Sequence, residues 1–142
     1  MRILTLFSLV IFFSCSQPTA QKEQTIAWQN QLDKVMEVHD EVMPFTAEIV
    51  KLNKRLKNFQ SKHTDLPKDV IDQLEDIQNQ LTIAEEGMWD WMHGFVQPSN
   101  GDDVKKANLY LSNEQKKIQT VSENMKSSMK AAKQIISKLN IQ

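Results

Sequence analysis

The stretch VMEVHDEVMPFTAEIVKLNKRLKNF, residues 35–59, decides the fold. Val35, Val38, Val42, Phe45, Ile49, Leu52, Leu56 and Phe59 recur at alternating steps of three and four, which puts them on one stripe of a helix. A second set (Trp28, Leu32, Met36, His39, Met43, Thr46 and Val50) follows the same period beside the first. At 100° per residue the two sets cover about 200° of the circumference. A helix that apolar meets two partners.

The rest of the chain supplies those partners. Val70, Leu74, Ile77, Leu81, Ala84, Met88, Trp91 and Phe95 repeat the heptad spacing, as do Ile118, Val121, Met125, Ser128, Ala132, Ile135 and Leu139. No stretch alternates with period two for long. With 3 Gly and 4 Pro in 142 residues, helices run long before anything breaks them. The breaks are SKHTDLP (61–67), with Thr64 or Asp65 as cap and Pro67 in the first helical turn, and QPSNGDD (97–103). Residues 104–111 suit a short connecting helix, and Ser112 with Gln115 fits a capping box opening the last long helix. The expectation is an all-α, up-down-up antiparallel three-helix bundle with helices near 25–59, 67–95 and 113–140. Each would have about 28 to 34 residues, or about 42–50 Å at ~1.5 Å per residue.

Ahead of the bundle stands an address. Arg2 is followed by an apolar run to Phe13, shorter than the roughly 20 residues that cross a bilayer and suited to a signal peptide. The only cysteine, Cys15, lies directly behind it, after the small Ser14. This is lipobox chemistry: cleavage before Cys15 and acylation of its thiol, with residues 1–14 removed, 15–24 a flexible tether and 25–142 the bundle. With one cysteine there is no intramolecular disulfide, so the fold rests on packing. The 17 basic and 18 acidic side chains nearly balance, giving no footprint for nucleic acid and no basic cluster for anionic lipid.

A second stretch, GMWDWMHGF (87–95), repeats the ingredients of the first. Folding the first two helices back on each other sets Met36 level with Asp90 and His39 with Gly87, and a second connection centred near Val104 adds Val121 and Met125 to that layer. Apart from Met1, the methionines come in close pairs, Met36 and Met43, Met88 and Met92, Met125 and Met129, and most belong to this end. Pro44 removes a helical hydrogen bond to the Asp40 carbonyl, at a cost of ~3 kcal/mol if uncompensated, and predicts a kink just beyond His39. Gly87 would let helix one, or a bulky His39 or Trp91, approach closely. Two readings follow. Met36, His39 and Met43 facing Met88 and Met92 offer thioether and imidazole donors that suit copper as Cu(I). The plainer reading has methionine filling irregular space around the proline, with no cofactor. His63 belongs to the turn, His93 projects away from the core stripe, and Trp89 is a boundary residue able to anchor a partner. NGDD (100–103) lacks the spacing of a calcium loop, and no P-loop, dinucleotide motif or nucleophile elbow occurs. Catalytic residues are expected to be none.

HDEVMP (39–44), MWDWMHGF (88–95) and NEQKKI (113–118) together resemble the uncharacterised small helical lipoprotein family of Bacteroidota, some of whose members carry the label viral A-type inclusion protein. The resemblance implies a helical envelope protein and brings no activity, ligand or catalytic residue. By analogy with lipoproteins of that phylum, SQPTAQ after the cysteine, in place of acidic residues, favours the periplasm-facing side of the outer membrane. The expected role is a non-enzymatic binding or structural module of the envelope, held to the membrane by its lipid and meeting an unidentified envelope protein.

Overall fold

The computed structural model describes residues 19–141, with side chains from Trp28 onward. The signal peptide and Cys15 lie outside the described residues. Four helices follow in order: α1 (Thr19–Val42), α2 (Phe45–Lys62), α3 (Lys68–Gly94) and α4 (Val104–Lys138). Among the described residues there is no strand, and no helix is long and apolar enough to cross a membrane.

α1 and α2 are the expected first rod, divided by Pro44. The chain keeps helical dihedrals at Pro44 (φ −61°, ψ −21°), so the rod continues beyond the break. Met43 N–H still donates to the His39 carbonyl at 2.8 Å, and α2 restarts with the Met43 carbonyl accepting from Thr46 N–H and Thr46 Oγ1. Missing its own N–H, proline interrupts the ladder, and the threonine hydroxyl adds a second donor to the Met43 carbonyl where α2 begins. α1 starts at Thr19, earlier than the expected residue 25.

Two further boundaries differ from expectation. Neither Thr64 nor Asp65 caps α3: the Pro67 carbonyl takes the first N–H groups, from Val70 and Ile71. The short connecting helix and the last helix are one. Asp103 caps it by accepting from Lys106 N–H at 2.9 Å, so Ser112 and Gln115 sit inside α4 rather than opening it. A capping box needs the residue before it to leave the helix; here Leu111, fully buried, holds the preceding turn in the core.

The three rods run up, down and up. α1–α2 and α4 are parallel neighbours joined by a ladder of side chains: Gln31 to Gln115, Glu41 to Lys126, Glu48 to Lys133, and Arg55 to the Ile141 carbonyl. The steps of seven from Glu41 to Glu48 to Arg55 are the heptad itself. α3 runs against both, linked to α2 by Asn53 and Thr82 at 3.0 Å. Val35, Val42, Ile49, Leu56, Leu74, Leu81, Met88, Leu111, Ile118 and Met125 are wholly removed from solvent, each contributing ~1.5–3 kcal/mol on burial. The last helix closes in a Schellman turn. Asn140 takes the left-handed conformation (φ 50°), while Ile141 and Asn140 N–H donate to the Ile136 and Ser137 carbonyls.

Candidate functional site

The stretches 35–59 and 87–95 meet. His39, in the last turn of α1, places its ring 5.5 Å from that of Trp91, in the last turn of α3. His39 is level with Trp91 rather than with Gly87, about one turn further along α3. The cause is the α2–α3 turn. α2 runs to Lys62 because the His63 ring stacks on Phe59 at 4.2 Å and its Nδ1 donates to the Phe59 carbonyl, which shifts the hairpin.

From Trp91 the rings continue to Phe95 (5.0 Å) and Tyr110 on α4 (6.2 Å). The Tyr110 hydroxyl accepts from Val96 N–H at 2.8 Å, pinning the chain where it leaves α3. Offset and tilted stacking of this kind contributes about 0.5–1.5 kcal/mol per pair beyond the area it buries. Four rings therefore tie α1, α3 and α4 together at one end of the bundle.

The expected donors are buried to different degrees. Met88 is fully buried, whereas Met36, Met43 and Met92 are half-buried and packed on the core. The His39 side chain is 15% exposed, and its Nδ1 donates to Asp40 Oδ1 at 2.8 Å. That bond leaves Nε2 as the nitrogen able to meet a metal. Trp89 lies outside the core, 40% exposed, and His93 and Asp90 are exposed. Val50, assigned to the second stripe, is exposed instead. Beyond the break α2 meets α3 and α4 with its other face, so the stripe ends at Thr46.

Gly87 corrects another expectation. A Cβ there would point at Val121 Cγ2 of α4, 3.9 Å away, so the glycine faces the third rod at ordinary contact distance and not helix one. Gly87, Asp90, Trp91, Gly94, Glu114, Lys117 and Val121 line a cleft of about 290 Å³ between α3 and α4. Glu114, absent from the expected set, is the polar group that matters there. It is 3% exposed and its Oε1 accepts from Lys117 Nζ at 2.7 Å. That hydrogen bond, and then the carboxylate's charge, raise the Lys117 pKa above its ordinary value. The signal for Glu114 was present: Val104, Ala107, Leu111, Glu114 and Ile118 continue the α4 stripe backwards at steps of three and four. A glutamate at a core position reads as a surface residue unless the helix is known to be continuous.

Trp91 Nε1 is buried without an acceptor among the described residues. Compared with known proteins, the chain matches no family model, no curated protein and no solved structure. What the geometry defines is an all-helical bundle whose aromatic junction brings His39 to Trp91, the two rings that the sequence singled out.

Proposed function

We propose that this chain is a lipid-anchored helical module of the outer membrane, facing the periplasm, which binds or braces another envelope protein and catalyses no reaction. The observation that supports it is the rod itself. α4 has 35 residues, or about 52 Å at ~1.5 Å per residue, and the ion-pair ladder fixes the first rod alongside it. Tethered at Cys15, such a rod would hold Trp89, in the last turns of α3 and so at the end where α1 and α4 begin, close to the bilayer. Acyl chains on Cys15 contribute ~0.8 kcal/mol per buried CH₂ to anchoring.

The test is crosslinking in intact cells followed by purification from the membrane fraction. A defined partner, weakened by Trp89→Ala, is expected; repeated recovery of the protein alone would sink the reading. Cys15→Ser should move the protein out of the membrane fraction.

The meeting of His39 with Trp91 favours a second reading, a soft-metal site. Met36 and His39 on α1, Met43 at the break after it, and Met88 and Met92 on α3 would offer Cu(I) thioethers and one imidazole nitrogen. Titration of Cu(I) against a competing chelator separates the readings, since an affinity unchanged by His39→Ala with Met43→Leu excludes the metal site.

A further inference from the structure

The anchor reading has a geometric consequence at the aromatic end of the bundle. Gln31 and Gln115 are hydrogen-bonded across the parallel pair α1 and α4. α1 begins twelve residues before Gln31 and α4 eleven before Gln115, so both helices start at the same end. Cys15 stands four residues ahead of Thr19, a reach of at most about 14 Å at ~3.3–3.6 Å per residue. The α3–α4 loop occupies that end too. Val96 is fixed by the Tyr110 hydroxyl, Tyr110 sits under two turns into α4, and helical side chains lean towards their own N-terminus.

This loop is well braced. Ser99 N–H donates to the Asp102 carboxylate at 2.7 Å, Asp102 N–H to the Ser99 carbonyl, and Pro98 is buried. Even so, Val96 is 70% exposed and Leu109 on α4 65%, the two most exposed large apolar side chains among the described residues. A slack loop would fold Val96 away; a braced one presents it. The nearby charges, Asp102 and Asp103 against Lys105 and Lys106, cancel, so the surface needs no anionic headgroup.

We propose that this end of the bundle, through Val96 and Leu109, rests on the lipid leaflet that carries the Cys15 acyl chains, so that the rod stands on the membrane by its loop as well as by its tether. The occupant is the bilayer, because on the anchor reading the acylated Cys15 stands four residues before Thr19, within reach of this surface. The inference rests on the anchor reading.

The native cysteine makes the test clean. With the Cys15 thiol taken up by acylation, Val96→Cys gives the full-length protein one free thiol for a nitroxide label, and Ser61→Cys, in the last turn of α2 at the far end, gives the control. Collision with oxygen, which partitions into lipid, is compared with collision with a water-soluble nickel chelate in native membranes. The expected result is an oxygen-to-nickel ratio several-fold higher at position 96 than at 61. Equal ratios overturn the contact, and so does a label at 96 shielded from both probes, which would mean that a protein covers it. Fractionation of the same preparation keeps the two readings apart. Membrane-bound protein with a water-exposed label overturns the contact and leaves the anchor, whereas protein recovered away from the membrane overturns both.

Discussion

The rings of His39 and Trp91 lie 5.5 Å apart and tilted by 34°, joining the end of α1 to the end of α3. Because α1 otherwise packs along α4, this pair is a principal tie between the first and second rods at that level. His39→Ala should lower stability by about 1–2 kcal/mol, from the lost ring pairing and apolar contact, read as a shift in the urea midpoint. Trp91→Ala removes the middle of the stack and should cost more, about 3–5 kcal/mol.

Glu114 and Lys117 form a pair with one member buried and the other out in water. Removing the lysine strands a carboxylate inside the bundle, so Lys117→Met should lower the thermal midpoint. Lys68→Met, at the solvent-exposed Lys68–Asp72 pair, should leave it nearly unchanged. Replacing both partners, as Glu114→Leu with Lys117→Met, should restore or exceed the original midpoint, since apolar groups suit the α4 stripe. The pH dependence follows from the raised Lys117 pKa. The stabilisation is fully present below the unfolded lysine value and is lost as pH rises through the folded one. Melts of the protein and its Lys117→Met variant should therefore differ at neutral pH and converge at strongly alkaline pH.

Gly87 sits within α3 with room for a methyl group against Val121. Gly87→Ala should stabilise the protein by about 0.5–1 kcal/mol through helix propensity and a less flexible unfolded chain. A loss of stability in chemical denaturation would mean that α3 and α4 pack more tightly there than 3.9 Å implies.

Asn53 is a buried polar residue between α2 and α3. Its Nδ2 donates to Thr82 Oγ1 at 3.0 Å, but its Oδ1 has no partner among the described residues. Asn53→Leu should raise stability by about 1 kcal/mol, since an unmet buried acceptor costs roughly 1–3 kcal/mol. Asn53→Asp, which places a charge at the same point, should lower it. An unchanged midpoint in both variants would show that water reaches the site.

How much of this was legible depended on which signal each residue carried. The first-rod stripe was readable because Val35, Val42, Ile49 and Leu56 repeat without a polar intruder, and all are fully buried. The meeting of the two Trp/His/Met stretches followed from hairpin geometry alone. Its register slipped by a turn because His63, a residue that reads as solvated loop, stacks on Phe59 and extends α2. The start of α4 was hidden by Glu114 and by a capping pattern at Ser112 and Gln115 that the tertiary fold overrides. Burial decides such cases, and burial of a charged residue depends on a partner three residues along, which hydrophobic period does not encode. Tyr110 was invisible for a similar reason: its role is a single hydroxyl that accepts from Val96 N–H across a loop.

The pairing of α1 with α4 also sets an order of events. Gln31 and Gln115 are separated by 84 positions, so the helix that leaves the synthesis machinery first finds its neighbour last. The α2–α3 hairpin, closed by a short turn, can assemble while α1 still waits, because nearby contacts cost less loop entropy than distant ones. A chain halted before α4 would hold α1 with its apolar stripe bare, the kind of surface that chaperones and proteases find. Arrival of the final helix is thus the step that commits the molecule to its finished form.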